Sequence, residues 1–122
     1  MMKKTAVVVA SAGLVGALGL SLAAPAVARQ ITTSDCSRGG LLTLELTREG
    51  RQLEADIEIY AGPRERWTVT LAQNGRAVHT VAKTTNREGE FGFWRYMPAR
   101  TSAVEVRGTS ATGETCSARL RP

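Results

Sequence analysis

Few residues in this chain have side chains that could do chemistry, and their spacing limits what that chemistry could be. His79 is the only imidazole. It lies between small strand-forming residues, with no Ser or Asp at a motif spacing, so it reads as a partly exposed strand residue. Glu54, Asp56 and Glu58 recur every second position. Paired carboxylates serve as acid and base in glycoside hydrolysis, but acids at i, i+2 and i+4 of a strand share one face and ordinarily form its solvated side. No nucleophile elbow, phosphate loop or metal pair is present. Two thiols, Cys36 and Cys116, and one distant histidine do not make a closed four-ligand metal site. The inventory therefore predicts a non-enzymatic protein that needs no metal or cofactor.

The segment Phe91-Gly92-Phe93-Trp94-Arg95-Tyr96-Met97 is the more informative one. Phe91 and Phe93 share one side of an extended strand, and Trp94 and Tyr96 fall on the other. Either the Pro98 to Thr101 loop covers the second pair, or the strand offers it to solvent. Exposed Trp and Tyr beside Arg is the composition of a binding hot spot. The candidate binding residues are accordingly Trp94, Arg95, Tyr96, Arg100 and Tyr60, facing an extracellular protein or a glycan whose sugar ring could stack on the aromatics.

The elements that must position these residues begin after a leader. Lys3 and Lys4, then an uncharged run from Thr5 to Ala24, then Pro25 and Ala26-Val27-Ala28 follow the order of a secretory signal peptide. This predicts a leader helix over 1–28, cleavage after Ala28, and a mature domain over 29–122 with no membrane attachment. Without Lys3 and Lys4, 14 of the 16 basic residues remain against 11 acidic ones, a net charge of +3. The arginines alternate with glutamates along the chain, which favours solubility over nucleic-acid binding. In an oxidising compartment Cys36 and Cys116 are expected to form a disulfide. Closing a loop of about 80 residues is worth roughly 4–5 kcal/mol in the chain-entropy description.

Period-two alternation runs through the mature segment. Leu42, Leu44 and Leu46 share one face of a strand, and Leu53, Ala55, Ile57 and Ile59 share one face of the next, across a Glu49-Gly50 turn. Trp67, Val69 and Leu71 point inward from a third. Asn74-Gly75 is a type I′ hairpin signal, and the strand returning from Arg76 to Thr84 has two possible inward sets, Val78/Thr80/Ala82 or Ala77/His79/Val81. Strands at Phe91–Tyr96, Val104–Val106 and Cys116–Leu120 complete about seven. Seven short strands with a Trp on the third predict an all-β, antiparallel, immunoglobulin-like sandwich. Its disulfide would tie the first strand to the last, whereas antibody domains bridge the second and sixth.

Cys36 soon after a leader, Trp67-Thr68-Val69-Thr70-Leu71-Ala72-Gln73-Asn74-Gly75, Glu88-Gly89-Glu90-Phe91 and Thr112-Gly113-Glu114-Thr115-Cys116 together resemble the small exported β-sandwich proteins of actinobacteria. That resemblance implies a fold and an extracellular address, and no site residues. Trp94-Arg95-Tyr96 is also similar to the tripeptide that small secreted actinomycete α-amylase inhibitors present on an exposed turn. Those inhibitors carry two disulfides and flank the tripeptide with cysteines, whereas this chain has one cysteine pair and places the three residues in a strand. The expected function is an extracellular binding module. The alternatives are an envelope-associated structural protein without a discrete site and, further off, a hydrolase inhibitor.

Overall fold

A computed structural model describes residues 27–122. The leader expected over 1–28 lies outside the described residues except for Val27 and Ala28, which open the first strand. Eight antiparallel strands form two sheets: β1 (Val27–Asp35), β2 (Leu41–Glu49), β3 (Gln52–Tyr60), β4 (Arg66–Gln73), β5 (Arg76–Thr84), β6 (Glu90–Met97), β7 (Val104–Ser110) and β8 (Thr115–Leu120). The strand order is β1-β2-β3-β6 in the first sheet and β5-β4-β7-β8 in the second. No helix occurs among the described residues.

The count of eight corrects the expected seven, because β1 gives almost no hydrophobic signal. Ile31 is its only large apolar residue after Ala28, and it points to solvent. As an edge strand, β1 is specified by its ladder to β2, which runs from Val27↔Glu49 to Asp35↔Leu41. Of the other seven strands all but β5 match the alternation, because burying one face of each sheet demands it.

The core lies between the sheets. Leu42, Leu44, Leu46, Leu53, Ile57 and Ile59 from the first meet Trp67, Val69, Leu71, Val104 and Val106 from the second, all essentially inaccessible to water. Trp67 fits because β7 has Gly108 beneath it: a Cβ there would sit 3.3 Å from the indole and 3.4 Å from Ile59. The ambiguous strand β5 follows neither simple alternation. A bulge displaces Val78, so that Leu71 pairs with His79 while Ala72 pairs with Ala77. His79 and Val81 then turn half inward and Val78 is exposed. Asn74 and Gly75 both take positive φ, 51° and 85°, as a type I′ turn requires.

The two lateral sides of the sandwich are closed differently. On one side, the Cys36–Cys116 disulfide joins the end of β1 to β8, with Cα atoms 4.4 Å apart and both residues buried. Buried Glu114 supports it: the Arg38 and Gly40 backbone N–H groups donate to its Oε2 at 3.1 and 2.9 Å. Such a buried disulfide is compatible with an oxidising, extracellular location. On the other side, edge strands β5 and β6 meet through non-covalent contacts alone. His79 lies edge-on to Phe93 at 6.0 Å, and the Lys83 ammonium donates to the Gly92 carbonyl at 3.2 Å.

Candidate surface site

The outer face of the first sheet carries most of the polar and aromatic side chains of interest. Pairing along the sheet sets them in rows across β1, β2, β3 and β6: Arg29–Thr47–Glu54–Tyr96, Ile31–Glu45–Asp56–Trp94, Thr33–Thr43–Glu58–Gly92 and Asp35–Leu41–Tyr60–Glu90. Glu49 extends the same face at the β2–β3 turn. Seven of the chain's eleven acidic residues therefore gather here.

Trp94 and Tyr96 rise from this face at 55% and 54% exposure. Of the two alternatives, cover by the Pro98 to Thr101 loop or presentation to solvent, the second holds, because the loop goes elsewhere. Asn74 Oδ1 accepts from the Ser102 N–H, the Ser102 hydroxyl and the Ala103 N–H, each at 2.9 Å. The Arg48 guanidinium also donates to the Ala99 carbonyl. These bonds draw residues 98–103 toward the β4–β5 turn, away from the outer face of β6. The two rings pack edge to face, with centroids 5.1 Å apart and planes at 72°. They form a corner, not a flat platform for a sugar ring.

The face carries unresolved charge. Asp56 lies directly opposite Glu45 across the ladder and between Glu54 and Glu58 on its own strand, and like charges opposed in this way destabilise a sheet. Partial burial, the hydrogen bond with Glu54 and the charges of Glu54, Glu45 and Glu58 together push its pKa from 3.8 up to about 7. The Tyr60 hydroxyl donates to Glu58, and that bond, burial and the charges of Glu58 and Glu90 raise the phenol to about 12. Arg29 is the one cation of β1–β3 bonded on this face; its Nε lies 2.9 Å from Glu45. A shallow depression of about 220 Å³ opens among Glu58, Tyr60, Asn86, Glu90, Phe91 and Gly92. Gly92 is part of its lining, and a Cβ there would lie 3.1 Å from the Ile57 carbonyl and 3.3 Å from Glu58 Cγ.

Of the sequence candidates, the structure brings Trp94, Tyr96 and Tyr60 onto one face. Arg95 projects from the opposite side of β6, since it pairs with Ala55 between the outward residues, and Arg100 lies exposed in the 98–103 loop. The tripeptide Trp94-Arg95-Tyr96 thus divides across the two sides of a strand. Alternation alone places Glu45 on the acidic side of the β2–β3 hairpin and Gly92 on the side of Trp94; sequence reasoning missed Glu90, which the β3–β6 register sets opposite Tyr60. Among the described residues no group of three or more His, Cys, Asp or Glu is arranged to hold a metal ion. A larger open groove of about 550 Å³ runs beside the disulfide, between Asp35, Ser37, Arg107, Thr109, Thr115 and Ser117. It has no aromatic surface, and Arg107 is already bonded to Glu105. No protein family, curated protein or solved structure matches this chain.

Proposed function

We propose that this chain is a secreted, non-enzymatic binding module that engages its partner through the outer face of β1-β2-β3-β6. The observation carrying this reading is the exposure of Trp94 and Tyr96, two large aromatics held on a rigid strand with no cover among the described residues. Exposed aromatics of this kind dominate binding energetics where they occur. The leader-like sequence and the buried disulfide support an extracellular address.

The strand order supports an immunoglobulin-like classification. With β2, β3 and β6 as strands A, B and E, and β5, β4, β7 and β8 as C′, C, F and G, the buried Trp67 falls on strand C, where such domains keep theirs. β1 is then an added edge strand, and the disulfide takes a different place from the antibody one.

The test is Trp94→Ala with affinity capture from the extracellular milieu. The variant should lose the partner retained by the wild type while its Tm changes by less than about 4 °C, because a surface substitution costs within ~0.5 kcal/mol. A drop well beyond about 4 °C would make Trp94 a packing residue and end this reading.

A further inference from the structure

We infer that the partner is an arginine-bearing polypeptide, docking on the outer face of β1-β2-β3-β6 with guanidinium groups set against Trp94 and between Glu58 and Glu90. This rests on the reading of that face as the binding surface and adds the chemistry of what binds it.

Charge complementarity carries the argument. Glu45, Glu54, Asp56, Glu58 and Glu90 supply hydrogen-bond acceptors and, when ionised, no donors. Among the described residues, Glu45 alone of these is answered by a cation, Arg29; Glu58 accepts from the Tyr60 hydroxyl, and Asp56 and Glu54 are bonded to each other. Lys83 reaches the edge of the face from β5, where it bonds the Gly92 carbonyl and not a carboxylate. For a neutral glycan the 72° angle between the rings leaves no shared flat stacking plane, and the excess of carboxylates on the face contributes acceptors with no matching charge to satisfy. A guanidinium suits what is present. It forks onto a carboxylate with two parallel hydrogen bonds and lies flat on an indole. A lysine ammonium does the first less well and the second hardly at all.

The depression over Gly92 gives a place for one such group. It has Glu58 and Glu90 on its sides, Phe91 and the Gly92 backbone in its lining, and Trp94 next along the strand. The face also has the breadth for a polypeptide and not only a single small cation. Four strands at their usual separation span roughly 14 Å, and acidic residues occupy all of them.

The experiment uses the protein as its cells release it, titrated with a fluorescent decapeptide alternating Arg and Ser, at about 50 mM salt. Controls replace each Arg by citrulline, which keeps the shape and removes the charge, or by Lys. Binding of the Arg peptide is expected, with the Lys peptide several-fold weaker and the citrulline peptide at least ~30-fold weaker. Trp94→Ala and Glu58→Gln should each weaken the Arg peptide about 10-fold, in line with one stacked cation or one charge-assisted pair. Raising salt to about 0.5 M should weaken it further.

Equal binding of the citrulline peptide, or no effect of Glu58→Gln, would overturn the inference. If a neutral ligand binds instead and is lost in Trp94→Ala, the surface reading stands and the arginine reading falls. Sedimentation of the protein alone completes the test: a dimer broken by Trp94→Ala would give the face to a second copy and refute a cationic partner.

Discussion

Asp56→Asn should stabilise the protein at pH 8 and do nothing at pH 4. Asp56 has its pKa raised from 3.8 to about 7 by partial burial and by Glu54, Glu45 and Glu58. In the unfolded chain those neighbours disperse and the ordinary value returns. Below about pH 4 both states are protonated and the residue costs nothing. Between about pH 4 and 7 the unfolded state can ionise while the folded state cannot, so the folded state binds more protons and stability falls as pH rises. Above about pH 7 the full penalty is present. A shift of about three units corresponds to ~4 kcal/mol at ~1.4 kcal/mol per unit. The side chain is only half-buried, and screening by water brings the expected penalty to about 1 kcal/mol. Asparagine keeps the shape and carries no charge, so its Tm should exceed the wild type's by ~4–8 °C at pH 8. The gap should close as pH falls toward 4. Thermal melts of both proteins at pH 4, 5.5 and 8 measure it. A gap of equal size at pH 4, or a variant that melts lower at pH 8, would refute the like-charge account of this face.

Other substitutions test the closed lateral side. Glu114→Ala leaves the Arg38 and Gly40 N–H groups without their acceptor, which should cost about 3 kcal/mol in urea unfolding. Glu114→Gln keeps an acceptor oxygen and should recover part of that loss. Replacing Cys36 and Cys116 by serine removes a link between residues 80 apart, and should cost roughly 4–5 kcal/mol. A loss under about 1 kcal/mol would show that hydrogen bonding alone holds this side.

Much of the fold can be read from alternation, and the reason is physical. Leu42 to Leu46, Leu53 to Ile59 and Trp67 to Leu71 must each put every second side chain into one core, so period two is written directly in the residues. β1 escapes because an edge strand on a solvated face buries little, and its partner β2 supplies the specification. β5 is half legible: its limits follow from Asn74-Gly75, but the bulge at Val78 breaks the periodicity that would assign its faces. The site divides in the same way. That Trp94 and Tyr96 share a side follows from local geometry. Their exposure depends on Asn74 and Arg48 drawing the 98–103 loop aside, a contact between distant segments. The acidic side of the β2–β3 hairpin is legible as well, since Glu54, Asp56 and Glu58 fall on one face by alternation alone. What alternation does not show is that Trp94, Tyr96 and Glu90 join those acids, because the pairing of β3 with β6 links segments at least 30 residues apart.

The Cys36–Cys116 bond also settles how the molecule would carry tension. A pull applied at the two ends passes from Asp35 through sulfur to Ser117, bypassing the roughly 80 residues between. Stretching could peel β1 from β2 and free the last residues of β8, yet the β2 to β7 body would remain folded until the sulfurs part. Single-molecule extension should therefore show a short release in oxidising buffer and a long one after reduction. The part of the outer face built on β2, β3 and β6, with Trp94 and Tyr96, would then keep its shape under load even after β1 has left its edge.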